Sequence, residues 1–476
     1  MGAQGTTPVR VAPALTVVGV AGFVTTLDNT VVTVALPTIQ RDLGASLAGL
    51  EWVMTAYILV FSGLMLAGGR LADVFGRRRV LQIGLGIFTG ASLLSGLAGN
   101  QELLIAARAV QGAGAALVIP TLLAIIAMLG GERARSAGVA VWMTASAAAL
   151  ALGPVTGGLI AQHWDWSWIF LINVPLGIAT MAGAAFAVPE SRDPRAARID
   201  LPGLATSGIA LVAGTFALIH GRDLGWGSPV IVGALLVTVL GAAGFVAVES
   251  SVRAPMIDMA LFRAPAFSGG VVAQVLWGLG VNGVFFFTAL FLQGVLGFSP
   301  TLSGLAFLPL AAMVVLVTPF APKVSERYGA ARTVAAGLAL VAGGMVAVAF
   351  LRPGDGFADL IPAVTAIGVG SGLTMPLGSA VLGAIPPERA GVAGGIFSVS
   401  REVSGVFGIA AIGVVVTSLQ EAARAEGAAH ADAFMRGYSV GLVAAAALVL
   451  LGAVVSLLTL PGRTPGAVAL PETRGA

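Results

Sequence analysis

A chain of 476 residues that is 57% hydrophobic and only 10% charged, with a mean hydropathy of +0.97, is not a soluble globular domain. It contains no cysteine, which excludes disulfides, thiol catalysis and cysteine-ligated metals, and His163, His220 and His430 are too scattered to form a histidine metal site. A net charge of +3 gives no basis for nucleic-acid binding, despite a pI near 9.9.

Apolar runs of about 20 residues recur from end to end, each long enough to cross a bilayer as a helix. Fourteen spans are predicted, near 14–36, 50–69, 80–98, 103–128, 137–161, 168–188, 201–220, 229–248, 267–292, 302–321, 332–351, 360–384, 391–418 and 437–460. A β-barrel would show weaker, alternating segments. The fold class is therefore an all-α polytopic membrane protein. The first run is a full span rather than a signal peptide. The opening "MGAQGT" fits a myristoylation pattern, although a polytopic chain needs no lipid anchor.

An even number of spans puts both termini on one side. Eighteen of the 25 Lys and Arg residues fall in segments on that side, among them Arg10, Arg70, Arg77, Arg78, Arg79, Arg195, Arg198, Arg253, Arg463 and Arg474. Five fall on the other side, Arg41, Arg222, Arg352, Arg424 and Arg436, and two, Arg108 and Arg401, fall inside spans. The positive-inside rule then predicts cytoplasmic termini and a place in the cytoplasmic membrane. "WDWSW", 164–168, becomes an aromatic anchor at the outer interface.

Charge is concentrated between spans 2 and 3, where "GGRLADVFGRRR", 68–79, carries five charges in twelve residues. A topology anchor would use Arg77, Arg78 and Arg79 but needs neither Asp73 nor Gly69 and Gly76. Gly76 permits a tight turn, and the Asp73 carboxylate suits a facing helix N-terminus. "APKVSERYGAAR", 321–332, repeats the spacing: Glu326 and Gly329 stand as Asp73 and Gly76 do, 253 residues or eight spans later. The predicted organisation is a six-helix bundle over 1–190, an inserted helix pair over 191–260 and a second six-helix bundle over 261–476. Parallel six-helix halves around a midplane site form a transporter architecture.

Four ionisable residues fall within spans: Asp28, Arg108, Arg401 and Glu402. Each costs at least about 2.5–3.5 kcal/mol in lipid, so each should face a cavity or a partner. Asp28, the only acid placed in spans 1–6, lies roughly 12 Å below the outer end of its helix and Arg108 roughly 8 Å below that of span 4, depths compatible with pairing. Glu402 lies near the midplane. Arg401 and Glu402 are adjacent and point about 100° apart, so one cavity is not expected to receive both. In span 5, Pro154 removes a backbone donor and is expected to kink the helix. Gly153 and Gly157, with Gly158, allow a neighbouring helix to come close.

These stretches resemble a known family. "GRLADVFGRRR" is similar to the signature loop of the major facilitator superfamily. "LDNTVVTVALP" (27–37), "LIAARAVQGAGAA" (104–116), "ALALGPVTGG" (149–158), "WSWIFLINVP" (166–175) and "FLQGVLGFSPTLSGLAFLP" (291–309) resemble motifs of its drug:proton antiporters with fourteen spanners. Departures are Ser167 where arginine is usual, Thr33 where asparagine is usual, and Glu402 in "SREVSG" where glutamine is more usual. The resemblance implies that the Asp73 loop locks the two halves together on the cytoplasmic side. It also implies that the span 5 motif helps seal the cavity, as in antiporters.

No "GxxxxGK[ST]" stretch exists and the single lysine, Lys323, follows "FAP", so nothing points to ATP as energy source or to any cofactor. A proton moving inward yields about 2.3 kcal/mol per 100 mV, enough to drive export through a carboxylate that binds proton and substrate in turn. Asp28, Arg108, Glu402 and Arg401 are the candidates for that work. The expected function is proton-coupled efflux of hydrophobic or cationic drugs or antibiotics by a monomer embedded in lipid. The alternatives are a dedicated exporter of one natural product or metabolite, an importer, which the span 5 motif opposes, and an intramembrane enzyme or receptor. The last class lacks support, because all three histidines fall in outer loops and no sizeable soluble domain is present.

Overall fold

A computed structural model describes residues 11–192, 200–252, 257, 259–352, 354–386 and 389–462. The N-terminal "MGAQGT" and the basic residues Arg10, Arg195, Arg198, Arg253, Arg463 and Arg474 lie outside the described residues. Among those described there is no β-strand. Fourteen helical stretches follow one another: α1 Val11–Leu43, α2 Leu47–Phe75, α3 Arg77–Gly96, α4 Gln101–Ala127, α5 Glu132–His163, α6 Trp168–Ala187 and α7 Leu201–His220. The remainder are α8 Pro229–Ser251, α9 Pro265–Gly294, α10 Pro300–Tyr328, α11 Ala330–Ala349, α12 Phe357–Gly383, α13 Ala390–Ala425 and α14 His430–Thr459.

Thirteen of these, among the described residues, are long and apolar enough to cross a membrane. The other, α3, has 20 residues, about 30 Å of helix, and opens on Arg77, Arg78 and Arg79. The fold is therefore the fourteen-helix one expected. Helices overrun the apolar cores at their ends. Arg41, Arg70, Asp73, Arg424 and Arg436 all lie on helix rather than in loops, because a helix that emerges from lipid keeps its backbone bonded while its side chains turn polar. Three helices are broken where proline withdraws a donor and crowds the carbonyl four residues earlier. α6 breaks at Ile172 ahead of Pro175, α10 at Phe307 and again over Thr318–Phe320 around Pro309 and Pro319, and α12 ahead of Pro376. α5 runs unbroken through Pro154.

The packing repeats itself. In the first half α1 packs on α5 and α6, α2 on α4, α3 on α4, and α3 on α6; eight helices later α9 packs on α13 and α14, α10 on α12, α11 on α12, and α11 on α14. The two six-helix bundles meet through α2 on α13, α5 on α10 and α1 on α9. The first two contacts exchange under the same shift of eight. The inserted pair is peripheral. α7 packs on α8, α2 and α13, whereas only 6% of the apolar window of α8 is buried, which leaves it a lipid-facing helix. The end at which α1 begins and α14 finishes is termed proximal, and the opposite end distal.

Candidate functional site

The charged centre of the first half is built from five helices, α1, α2, α3, α4 and α6. Arg108 Nη1 donates to Asp28 Oδ2 at 2.5 Å, and both side chains have 0% exposure. Asp28 Oδ1 accepts from Gln111 Nε2 and from Asn173 Nδ2, each at 2.7 Å. Arg108 Nη1 also donates to Gln111 Oε1 at 2.7 Å, and its Nε reaches the Val53 carbonyl on α2 at 3.3 Å. Ser92 on α3 closes the network, bonded to Gln111 at 2.5 Å and to Asn173 at 3.4 Å. The guanidinium stacks over the Tyr57 ring, 4.3 Å from its centroid, with Phe170 at 5.6 Å. Within this network, among the described residues, two buried side-chain atoms have no hydrogen-bond partner, Arg108 Nη2 and Asn173 Oδ1.

An ion pair taken out of water holds only where its remaining lone pairs and protons are satisfied. Three donors on one carboxylate meet that requirement. Sequence reasoning found Asp28 and Arg108 and missed Ser92, Tyr57, Gln111 and Asn173. Gln111 and Asn173 stand within the quoted motifs, and a polar amide amid apolar neighbours was the available signal.

Arg401 and Glu402 pair with each other, Arg401 Nη2 and Nε reaching Glu402 Oε1 at 2.9 Å and 3.1 Å. Adjacent residues on a helix point about 100° apart, and the arginine side chain is long enough to span that angle. Their side chains are 56% and 18% exposed, so this pair on α13 is open where Asp28 is not.

A second correction concerns Asp28 as the only acid in the first six spans. Glu51 lies just inside the predicted span 50–69, on α2, and it is 4% exposed.

At the proximal end Asp73 pairs with Arg77 at 3.0 Å rather than with a facing helix N-terminus. The acid at the N-terminus of α3 is Glu190, which accepts from the backbone N–H groups of Arg78 and Arg79, both at 3.1 Å. Gly76 has φ 109°, and a Cβ there would sit 2.5 Å from Glu190 Oε1. Gly329 matches it, with φ 90°. The two glycines end α2 and α10 alike, their N–H groups bonded to the Ala72 and Ser325 carbonyls at 3.1 Å and 2.8 Å. Just beyond each, Arg77 N–H reaches Ser191 after α6, and Ala331 N–H reaches Pro461 after α14. Gly69 is not a close-packing position: its Cβ would lie 3.5 Å from Pro120, whereas one on Gly68 would lie 2.1 Å from the Ala116 carbonyl.

The span 5 motif faces two ways. Added Cβ atoms on Gly153 and Gly157 would strike Thr30 and the Val31 carbonyl of α1; one on Gly158 would lie 2.3 Å from the Pro300 carbonyl of α10. Facing back, Gly304 of α10 sits against the Pro154 carbonyl. Among the described residues, the hydrogen bonds joining the two halves lie toward the distal end: Gln293 Nε2 to the Val34 carbonyl at 2.8 Å, Thr301 N–H to Gln162 Oε1 at 3.1 Å and Thr301 Oγ1 to the Gly158 carbonyl at 3.4 Å. The distal end also carries His163, His220 and His430, each at a helix end rather than in a loop. There Trp164 and Trp168 project outward, at 64% and 53% exposure, while Trp166 is buried.

Two pseudo-symmetric helical halves, sealed at one end and holding a buried ion pair, define a multi-pass membrane transporter. The sequence model of the Major Facilitator Superfamily matches residues 18–409, and the chain belongs to that superfamily. It is 35% identical to the puromycin resistance protein pur8 of Streptomyces alboniger, over 95% of this chain and 92% of that one. It is 37% identical to the cephamycin export protein CmcT of Amycolatopsis lactamdurans, over 91% of each. Among solved structures, the POT family transporter PepTSo superposes with a TM-score of 0.70 at 14% identity, covering 94% of this chain and 97% of that one. A bacterial homolog of the human lysosomal transporter Spinster, inward-facing and unoccupied, gives 0.64 at 17%, covering 96% and 98%. At such identities these two speak for the fold alone.

Proposed function

We propose that the chain is a proton-coupled exporter of hydrophobic or cationic antibiotics in the cytoplasmic membrane, with both termini cytoplasmic and the distal end outside. One observation carries export: similarity to antibiotic resistance and export proteins runs through more than nine-tenths of the chain. The working unit is a monomer in lipid, with bundles over 1–190 and 261–476 rocking about the cavity between them and the pair within 191–260 riding on the seam.

In this reading Glu402, half a membrane deep and partly exposed, meets a cationic substrate or a proton first, with Arg401 as its resting partner. Asp28 holds three donors and no exposure, so it exchanges a proton only when the helices around it shift. The Asp73 loop, with Gly69, Gly76, Arg77 and Arg78, gates the proximal end, and Gly153, Pro154, Gly157 and Gly158 seal the distal one.

The experiment is uptake of puromycin, a cephamycin and a panel of cationic dyes into energised inverted vesicles. Uptake that collapses with the pH gradient supports the reading, and uptake indifferent to it sinks proton coupling. A second reading, one dedicated natural product, is favoured by the single-compound relatives, including a tetracenomycin C resistance and export protein. Transport of one compound from the panel would select it.

A further inference from the structure

Glu51 is the buried acid that the scheme above does not use. It sits on the second turn of α2, about 6 Å from the distal start of that helix, and is 4% exposed. Among the described residues its carboxylate accepts no hydrogen bond and joins no ion pair. It lies in the seam between the halves: a Cβ on Gly413 of α13 would be 2.3 Å from its Oε1. A buried carboxylate without a donor is costly in its charged form.

The surroundings do not supply a countercharge. On the helices packed against α2, the ionisable groups toward the distal end are Arg41 and Asp42 on α1, Glu102 and Arg108 on α4, and Glu421 and Arg424 on α13; His220, Arg222 and Asp223 come at the end of α7. Arg41 bonds to Thr38 at 3.3 Å, and Arg424 to the ring of His430. Arg108 is committed to Asp28. Arg222 is committed to Glu421. His220 Nε2 accepts from Trp52 Nε1 at 3.1 Å. The group that acts on Glu51 electrostatically is Asp223, another acid. The neighbour of Glu51, Trp52, thus ties α2 to α7, and α7 is tied through Arg222 to α13, so the closed seam is clamped around an acid with no partner. Two residues further along α2, the Val53 carbonyl accepts from Arg108. Movement of α2 away from α13 is therefore felt at the Asp28 network.

We propose that Glu51 is a second proton-binding carboxyl of the exporter, neutral when α2 and α13 close at the distal end and ionised when they part. The proposal rests on the proton-coupled reading above. Its sign follows from burial. The closed seam excludes water from the carboxyl and holds the proton; the open seam hydrates it and lets the proton go. Acid outside favours closure, and rising pH favours opening. An exporter that takes up an external proton after discharging its substrate returns inward by that step.

The chain has no cysteine, so Asp42→Cys and Ala425→Cys can be spin-labelled cleanly to read the distal distance across the seam. In the wild type the open-to-closed ratio should rise with pH, by up to about tenfold per unit for one linked proton. Glu51→Gln, neutral at every pH, should stay closed and shift less than about twofold per unit. Gly413→Ala, whose methyl would press on the Glu51 carboxyl, should open the seam at all pH values. Asp28→Asn should keep the pH response of the distance while losing transport. A wild-type response in Glu51→Gln overturns the proposal, as does a closed, unresponsive seam in Gly413→Ala. Loss of the response in Asp28→Asn with its survival in Glu51→Gln would assign it to Asp28 instead. Vesicle uptake indifferent to the pH gradient would overturn proton coupling itself, separately from any distance.

Discussion

Arg108 Nη1 lies 2.5 Å from Asp28 Oδ2, and neither side chain has any exposure. Removing one partner of such a pair leaves a bare charge, at a cost of about 3–5 kcal/mol. Arg108→Ala should therefore lower thermal stability in detergent as well as transport. Asp28→Asn keeps the shape, but its NH2 group must face either Arg108 or the Gln111 and Asn173 donors, and the carboxylate charge is gone. It should abolish transport driven by a pH gradient, with Asp28→Glu retaining a fraction. Proton release on adding substrate to the solubilised protein is the measurement. Release and transport both at the wild-type level in Asp28→Asn would move coupling to Glu402.

Gly76 and Gly69 make a paired test of the proximal loop. At φ 109° a non-glycine residue is strained by about 1–3 kcal/mol, and its Cβ would press on Glu190. Gly76→Ala should lower the melting temperature and the yield, and Gly329→Ala, at φ 90°, should do likewise. Gly69→Ala meets only an ordinary contact at 3.5 Å and should be silent. Equal effects at the two positions would show that the turn conformation is not what Gly76 supplies.

Asp73→Asn removes the acid from its pair with Arg77 and leaves the Asp28 network untouched. It should abolish transport while substrate binding stays within about twofold of wild type. Equilibrium binding and vesicle uptake on one preparation separate the two, and wild-type uptake would reduce Asp73 to part of a topology anchor.

Helix number and order were legible because a bilayer forces unbroken apolar runs of nearly fixed length. The Asp28–Arg108 pair was legible because isolated charges in lipid demand partners. Glu51 was missed for the opposite reason. It stands at the margin of its apolar run, where a carboxylate is ordinarily solvated, and only the packing of α13 buries it. Gln111 and Asn173 were hidden because an uncharged amide in a helix does not announce a partner. Glu190 was hidden because its role, closing the start of α3, depends on a chain reversal about 110 residues away from Arg78.

Topology can be read on the cysteine-free background. Arg79→Cys, at the start of α3, should react with an impermeant maleimide only from the cytoplasm, and His430→Cys, at the start of α14, only from outside. The positive-inside distribution sets these sides. Labelling of position 430 solely from the cytoplasm would overturn the fourteen-span orientation.

Gly157 and Gly158 are adjacent but belong to different contacts, and substituting each separates packing within a half from packing between halves. A Cβ on Gly157 would lie 2.4 Å from the Val31 carbonyl of α1, inside the first bundle. In the proposed rocking of the halves, α1 and α5 move together and keep that contact. Gly157→Leu should therefore cost stability of the kind seen for overpacked interiors, about 1–3 kcal/mol, with low expression. A Cβ on Gly158 would instead lie 2.3 Å from the Pro300 carbonyl of α10, beside the bonds from Thr301 to Gly158 and Gln162 that close the distal end. Gly158→Leu should fold, because that face is free when the halves part. It should fail to seal. The expected phenotype is a protein of near wild-type melting temperature that binds substrate, transports at less than about a tenth of the wild-type rate, and labels at distal cysteines from outside at all times. If Gly158→Leu instead matches Gly157→Leu in stability and labelling, the motif packs helices only, and the seal between α5 and α10 is not the moving contact.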